Sequence, residues 1–408
     1  MLAFSIDIGY IALVRTDLQT AADAAALAGA EKLQALYVQY TSPGQLNQNT
    51  ILTTATTNTP GSPMNTAEKF ASYNKAGNVS ITVRDQDVTF SFMDSNGNFQ
   101  QNYWANGLTG GFPNSITVIT RRDSVQNTPV SLFFGPIFGV STKELTAKAT
   151  ATIYSGDVTS LQVIQGVTGL SSVRPHILPL ALDYNVWTKF YTSGGLSPDG
   201  TIHLAANGSP QLYVYQMGPQ TPNYGVPFNT AGSFGLLDVG VPANNTPAFR
   251  NWIDNGQTPN DITYLVNNSL VPVANAGPKQ WKAGPGLTST LQNNFYDQMG
   301  VPNLIPLFIP AVAPSGWTAL STGAPLYYQA GTGTGQNVTY AIVGFAGVAI
   351  SQADGSGSNL NVSIQPSAVV DPTAVIQNPR PAGTQISEFG STINGPTITT
   401  FISAKLTQ

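Results

Sequence analysis

The stretch that decides the fold is SIDIGYIALVRTDLQTAADAAALAGA, residues Ser5 to Ala30. Residues 1–14 are apolar apart from Ser5, Asp7 and Tyr10, and residues 15–40 continue rich in Ala, Leu and Gln and without proline. Alanine and leucine are strong helix formers, and proline is the strongest helix breaker. The pattern predicts one N-terminal helix over residues 1–40, about 60 Å long at about 1.5 Å per residue.

One face of this helix carries small side chains. Leu18, Ala22, Ala25, Ala26 and Leu33 fall near a single stripe, and small residues let another helix approach closely. We expect the stripe to pack against the helix of another copy. The alternative is that the stripe lies on the chain's own β domain, and the two arrangements can hold for different halves of the helix.

The apolar start is too short for a complete membrane span, because a bilayer crossing needs about 20 residues. It also lacks the basic stretch and the small-residue cleavage site of a signal peptide. Two interpretations remain, the mature end of a processed precursor or the second half of a longer span. In either case an apolar terminus needs a partner that buries it. The candidate assembly residues are Met1, Phe4, Asp7, Tyr10, Arg15, Leu18, Ala22, Ala25 and Ala26.

Asp7 is the most informative polar residue of the helix. A carboxylate buried without a partner costs several kcal/mol, so we expect Asp7 to face water or to meet a cation. The candidate cations are the terminal amine of a neighbouring copy and Arg15 of another subunit. If Asp7 meets a cation of another copy, it sets the register between the two copies.

The rest of the chain has the composition of a β protein. Only 9% of its 408 residues are charged, while Gly (40) and Pro (29) are plentiful, as short strands joined by turns require. The clearest strand patterns are Val88 to Phe92, Ser115 to Arg121 and Glu144 to Tyr154. Between the last two lies Val130 to Val140 (VSLFFGPIFGV), which we expect to be a buried loop or short helix that closes the core.

The predicted class is therefore mainly β with a long N-terminal α-helix, α+β overall, with helix-tethered β-sandwich-like domains. Length predicts more than one unit. We expect an anchor helix at 1–40, a first α+β domain at 41–155, a linker at 156–174, a second β-rich domain at 175–370 and a Pro-rich tail with a last strand at 371–408.

The opening helix resembles the TadE/TadG-like proteins associated with tight-adherence (Flp-type) pili of bacteria. The matching positions are Asp7, Gly9, Tyr10, the element Arg15 to Gln19 and the run Ala21 to Ala28. PVSLFFGPIFGVSTKELTAKATA at Pro129 to Ala151 is similar to the family's Phe-rich turn and closing strand, and the region from His176 on resembles a long C-terminal extension of some members. The resemblance implies a pilus-associated or envelope-anchored surface protein and brings no catalytic residues.

Little in the sequence points to chemistry. There is no Cys, so disulfides, thiolate nucleophiles and cysteine metal sites are excluded, and no Lys/Arg run favours nucleic acid. The two histidines, His176 and His203, lack metal-site spacing. Asp94, Asn96 and Asn98 are weak calcium candidates, and a hairpin turn at Asn96-Gly97 explains them more simply. We expect no cofactor, no metal and no enzymatic activity.

The primary hypothesis is a structural subunit of an extracellular pilus-like filament, which polymerises through its N-terminal helix and displays β domains outside. The alternative is a membrane-anchored pilus-accessory protein or adhesin that binds a glycan or another surface protein. Self-association, the membrane and surface glycans are the expected partners. The aromatic candidates for sugar stacking are Trp104, Tyr184, Trp187, Tyr213, Tyr215 and Tyr224. A hydrolase using Asp183, Asp238 or Asp254 is the third hypothesis, since carboxylate pairs need only spatial closeness.

Overall fold

A computed structural model of the protein describes most of the chain. The described residues are 2–41, 47–94, 96–101, 112–161, 176–184, 186–187, 190, 193–195, 197, 201–216, 236–242, 245–270, 279–282, 289–308, 339–354, 361–371, 374–382 and 401–407.

The helices begin at residues suited to capping. Ser62 and Asn245 accept hydrogen bonds from first-turn amides, and Thr258 forms a capping box with Asp261. The described helices are α1 Leu2–Thr41, α2 Gln48–Thr56, α3 Pro63–Ser72, α4 Thr246–Asn255, α5 Pro259–Asn267 and α6 Gln292–Asp297.

The described strands form two six-stranded sheets and two small hairpins. In chain order they are β1 Lys75–Ala76, β2 Val79–Ser80, β3 Val88–Met93, β4 Phe99–Gln101, β5 Ser115–Arg122, β6 Val130–Ser131, β7 Thr142–Lys143, β8 Leu145–Leu161, β9 Leu182–Asp183, β10 Leu212–Gln216, β11 Lys279–Lys282, β12 Pro302–Phe308, β13 Thr339–Asp354, β14 Asn361–Pro366, β15 Ala374–Pro381 and β16 Phe401–Thr407.

The first sheet has the order β15-β8-β5-β3-β4, and β16 also pairs with β8. All of its strand pairs are antiparallel. One face is covered by α1 and α3, whose alanines share a core with the aliphatic side chains of β3, β5 and β8. The first sheet therefore packs against a layer of helices on this face. The predicted class, a long N-terminal helix with mainly β structure, is confirmed.

The second sheet has the order β10-β14-β13-β12-β9, with β11 paired to β13. Its pairs are antiparallel except the short β9–β12 contact, which is parallel. The hydrophobic core at this sheet contains more residues, and more aromatic ones, than the core between α1 and the first sheet. Trp187, Phe190, Trp281, Phe295 and Phe345 are all buried in it.

Strand β8 joins the two halves of the chain. It runs without a break across residue 155 to Leu161, so residues 156–161 of the predicted linker are strand, and Leu161 belongs to the core of the second sheet. β15 and β16 return from the end of the chain to pair with β8. Part of the predicted tail thereby completes the first sheet. The other boundaries of the domain prediction stay predictions.

Some elements carried no usable sequence signal. Helix α2 lies in a stretch rich in Thr and Asn that reads as a connector, and β15 lies in the Pro-rich region that we expected to be open. The strand pattern of residues 79–84 would predict six residues of strand, and β2 ends at Ser80. Each of these segments is weak in propensity and is held by tertiary pairing, as β15 is by β8.

Gly29 marks the closest approach of α1 to the first sheet and α3. A Cβ at this position would lie 2.6 Å from Ile116 Cδ1 and 3.2 Å from both Ala67 Cβ and Pro63 O. Gly9, in the same helix, has nothing within 4 Å of the equivalent position.

Gly29→Ala should therefore lower the free energy of unfolding by about 1–3 kcal/mol, because the added methyl overpacks a closed interface. Gly9→Ala is the matched control, and we expect it to be neutral or stabilising by about 0.5–1 kcal/mol through helix propensity. Urea denaturation of both variants measures the difference. Equal stabilities would contradict the close packing of α1 at Gly29.

Asp238 is a buried carboxylate beside the second core. Its N–H donates to the Lys282 carbonyl at 3.1 Å, and its Oδ1 has no hydrogen-bond partner among the described residues. Burial raises the pKa of Asp238 to about 6, although the nearby Lys282 charge lowers it. The folded state therefore binds the Asp238 proton more tightly than the unfolded state does.

It follows that ionisation of Asp238 lowers the free energy of unfolding as pH rises from about 4 to about 6. Above about pH 6 this loss of stability is complete. Asp238→Asn should remove this step and raise the melting temperature at pH 7.5. Thermal unfolding between pH 4 and pH 8 is the measurement, with the exposed Asp254→Asn as control. A wild-type step that survives in Asp238→Asn would refute the assignment.

Candidate assembly and attachment surface

The small-residue stripe of α1 is used inside the chain. Leu18, Ala22, Ala25 and Ala26 are fully buried against the chain's own first sheet and helix α3 or hairpin β1–β2. Thr120 Oγ1 on β5 donates to the Leu18 carbonyl at 2.9 Å, which ties the helix to the sheet. The expectation that this stripe packs against another copy is therefore wrong for this structure, and the alternative, that it lies on the chain's own β domain, is what the structure has.

The first turns of α1 are different, because their apolar side chains face outwards. Phe4, Ile6, Ile8 and Leu13 are all about half exposed or more. Phe4 and Ile8 are four residues apart and lie on one side of the helix, whereas Ile6 and Leu13 are seven apart and lie on another. Met1 lies outside the described residues.

Asp7 has a partner within its own chain. Its side chain is 4% exposed, Oδ1 accepts from the Phe133 N–H at 2.7 Å, and Oδ2 accepts from the Phe134 N–H at 3.0 Å. The expectation that Asp7 faces water or a cation is wrong. Two backbone amides satisfy the carboxylate instead, and charge-assisted bonds of this kind are among the stronger hydrogen bonds in proteins.

Both amides belong to a tight loop, residues 132–140, that leaves and rejoins the β6–β7 hairpin. A short 3₁₀ turn, Gly135–Phe138, shapes the loop, and the Leu132 N–H donates to the Ser141 carbonyl at 3.0 Å where the loop closes. Gly135 is required there, since a Cβ would lie 2.1 Å from the Val140 carbonyl oxygen.

This loop was expected to close the core, and that expectation is wrong. Phe133, Ile137, Phe138 and Val140 are all exposed, with Ile137 reaching 75%. They meet the start of α1, because Phe138 packs edge-on to Phe4 at 6.4 Å between ring centroids and Phe133 packs on Tyr10 at 5.3 Å. The signal that could have found them is the unbroken apolar run in VSLFFGPIFGV, which shows neither strand nor helix periodicity.

We call the combined surface the apolar cap. Its exposed members are Phe4, Ile6, Ile8 and Leu13 of α1 and Phe133, Ile137, Phe138 and Val140 of the loop. Residues 4–14 and 130–142 contain a single Asp, Glu, Lys or Arg, which is the inward-facing Asp7. The next charged residue after each stretch is a cation, Arg15 on α1 and Lys143 on β7, and both are exposed.

Arg122 supports the base of the loop from below. Its side chain is buried and donates to the carbonyls of Thr128 at 2.8 Å, Ala76 at 2.6 Å and Pro129 at 3.4 Å. Burial lowers the pKa of the Arg122 guanidinium. Tyr10, half-buried, reaches the neighbouring Gly77 carbonyl at 3.5 Å, so the hairpin β1–β2, the loop and the helix are held as one group.

The calcium candidates form a turn. Asp94 Oδ1 accepts from the N–H groups of Asn96 and Asn98, both at 2.9 Å, and the Gly97 N–H donates to the Asp94 carbonyl. The Asn98 N–H is the main cause that lowers the pKa of Asp94. The simpler interpretation, a hairpin turn between β3 and β4, agrees with these bonds.

Other chemical candidates are dispersed. No three His, Cys, Asp or Glu residues in the described part of the chain come together as a metal site. Asp254 accepts from the Asn294 side chain, and Asp183 accepts from the Val186 N–H at 3.3 Å. His203 lies within 2.9 Å of Thr201 Oγ1.

The aromatic candidates for sugar stacking are also mostly occupied. Trp187 is buried in the second core, Tyr213 packs edge-on to His203, and Tyr184 is partly buried against the same core. Trp104, Tyr224 and the Tyr215 side chain lie outside the described residues.

Among the described helices, none combines the length and apolar character needed to cross a bilayer.

Asp7→Ala should detach the loop from α1. Two partly buried amides lose their acceptor, at a cost of up to about 1–3 kcal/mol each, and Asp7→Asn, which keeps one carbonyl oxygen, should cost less. The measurement is hydrogen exchange at the Phe133 and Phe134 amides, which we expect to lose protection first. Asp23→Ala, which removes a helix-surface carboxylate bonded to Gln19, is the control. Unchanged exchange at both amides in Asp7→Ala would contradict the role of the Asp7 carboxylate in holding the loop on α1.

Comparison with known proteins agrees with the sequence analysis. No curated protein and no solved structure matched the chain significantly. A family model described as putative Flp pilus-assembly TadE/G-like matches residues 1–32, the part of α1 that carries both the cap residues and the buried stripe. The predicted resemblance is confirmed over this segment, which is 32 of the 408 residues.

Proposed function

We propose that this protein is a non-enzymatic structural component of the bacterial cell envelope that serves a Flp-type pilus as an accessory and is attached to a membrane surface through its apolar cap. The family match supports the pilus association. The accessory role rests on one observation, the burial of the small-residue stripe of α1 within the chain.

That burial limits how the helix can assemble. A filament built on a bundle of N-terminal helices brings the helices of neighbouring copies together, and small residues favour the closest contacts of this kind. Here Ala22, Ala25 and Ala26 already contact the first sheet and α3, and separating them would expose the core. Within the described part of α1, the large apolar side chains that stay exposed are those of the cap.

The cap suits a lipid surface because α1 is apolar on several sides there. A helix that is hydrophobic all round belongs in an apolar surrounding, and exposed apolar patches on soluble proteins mark interaction sites. Only one side of the first turns is covered, by the loop at Asp7 and Tyr10.

A filament subunit, with the β domains displayed outside, is the second candidate function. The observation that favours it is the spacing of Phe4 and Ile8, which form one apolar edge able to meet the same edge of another copy. An adhesin that binds surface glycans finds less support, since Trp187, its best aromatic, is buried.

Ile8→Ser combined with Leu13→Ser tests the attachment. These side chains are 52% and 57% exposed, and the double variant should bind lipid vesicles at least about tenfold more weakly, because burial of each contributes about 1.5–3 kcal/mol when complete. Co-sedimentation of the full chain with vesicles is the measurement.

Ile202→Ser combined with Leu204→Ser is the matched control, with the same residue types at 51% and 59% exposure away from the cap. Equal binding of the two double variants would refute attachment through the cap. Negative-stain microscopy of the wild-type chain separates the candidates. We expect single particles in detergent and clusters joined at the caps without it, whereas filaments of constant width would favour the second candidate.

A further inference from the structure

The loop of residues 132–140 carries apolar side chains that the helix attachment alone does not explain. We infer that this loop is a second membrane contact, which inserts Phe133, Ile137, Phe138 and Val140 into the interfacial region of an anionic lipid bilayer beside the first turns of α1. The inference rests on the proposed attachment through the cap and deepens it by naming the lipid class and a second inserting element.

The loop and the helix present their apolar groups at the same level. Phe138 contacts Phe4, Phe133 contacts Tyr10, and Asp7 binds the backbone between these two contacts. A bilayer that receives the first turns of α1 therefore meets the loop at the same depth. Interfacial elements bury their apolar face about 5–10 Å into the boundary between headgroups and acyl chains.

The backbone of the loop is suited to the polar–apolar boundary of a bilayer, because most of its amides are already bonded within the chain. The Ile137, Gly139 and Val140 N–H groups donate to the Phe134, Pro136 and Gly135 carbonyls at 3.1 Å. Leu132 donates to Ser141, and Pro136 has no N–H. Irregular backbone is not found exposed to lipid in the hydrocarbon region, so the contact is confined to the interfacial region, where internal bonds lower the cost of moving the amides out of water.

Asp7 completes that set. The amides of Phe133 and Phe134 point at α1, where an apolar side chain would leave them without an acceptor, and the carboxylate supplies both bonds. The charge is turned inwards and is 4% exposed. The cap thus carries an acidic group without presenting it to a lipid surface.

The positions of the cations indicate which lipids meet the cap. Arg15 is the first charged residue after the helical part of the cap, and Lys143 is the first after the loop. Both are exposed and mark the boundary of the cap along the sequence, while the nearest carboxylates, Asp17 and Glu144, accept from the Gly77 and Ser124 N–H groups. Basic side chains beside an inserted apolar element reach phosphate headgroups. Tyr10, with its hydroxyl directed to the Gly77 carbonyl, lies near the same boundary.

A second copy of the chain fits the cap less well. The exposed residues of α1 face more than one side, Phe4 and Ile8 on one and Ile6 and Leu13 on another, so a single helix contact leaves part of them in water. A lipid surface covers all sides together.

Single fluorophores test the inference. The chain has no native Cys, so Ile137→Cys, Ile8→Cys and Ile202→Cys each give one labelling site for a polarity-sensitive dye on the full-length protein. We expect the fluorescence of the dye to rise about threefold at positions 137 and 8 when vesicles of phosphatidylglycerol and phosphatidylethanolamine are added, because the dye passes from water into the lipid interface. We expect no rise at position 202.

The outcomes separate the inference from the proposed function. A rise at position 8 without one at position 137 overturns the loop contact and leaves attachment through α1 standing. No rise at either position overturns both. A rise at position 137 before vesicles are added, together with a doubled mass in light scattering, assigns the loop to a contact between copies and also overturns the inference.

The lipid class has its own test. Arg15→Gln combined with Lys143→Gln should weaken binding to the anionic vesicles about tenfold and leave binding to phosphatidylcholine vesicles unchanged. Lys32→Gln combined with Lys405→Gln removes two exposed cations elsewhere and is the control. Equal losses in the two double variants would overturn the assignment of the cap cations to anionic headgroups.

Discussion

The packing of α1 on the first sheet is the interaction on which the rest of the structure depends. Alanines and Gly29 let a long helix lie close to the sheet and α3, where larger side chains would hold it away. Close packing of this kind gains dispersion energy over a long contact. It also removes the small residues from contact with other molecules, whereas apolar side chains at the outer end of the helix stay exposed.

Polar groups then position that outer end. Arg122 gathers three carbonyls beneath the loop, and Asp7 accepts two amides above them, so the segment between residues 128 and 134 is held at both ends by a buried charged side chain. Neither charge forms an ion pair with the other. Each instead satisfies backbone groups that would be costly to leave without partners in an apolar region.

Strand β8 connects this arrangement to the rest of the chain. Residues 145–152 of β8 pair with β5, residues 150–156 pair with β16 and residues 154–161 pair with β15. Both β15 and β16 arrive from the far end of the sequence. Asn114 reinforces the junction through bonds to the Met93 and Ala382 carbonyls. The first sheet therefore forms fully only when the C-terminal part of the chain has returned, and the strand order is dominated by contacts distant in sequence.

The amino-acid sequence by itself determined the long helix, the mainly β class and the TadE/G-like segment, because helix propensity, residue composition and a local motif are all readable over a few dozen residues. Strands β3, β5 and β8 were predictable for the same reason, as their alternation is local. Only the tertiary structure decided what the stripe of Leu18 and Ala22 contacts, whether Val130 to Val140 is buried or exposed, and which groups donate hydrogen bonds to Asp7. Those outcomes depend on which segments meet across more than a hundred residues, and one apolar pattern serves equally for a core and for a surface that another molecule covers.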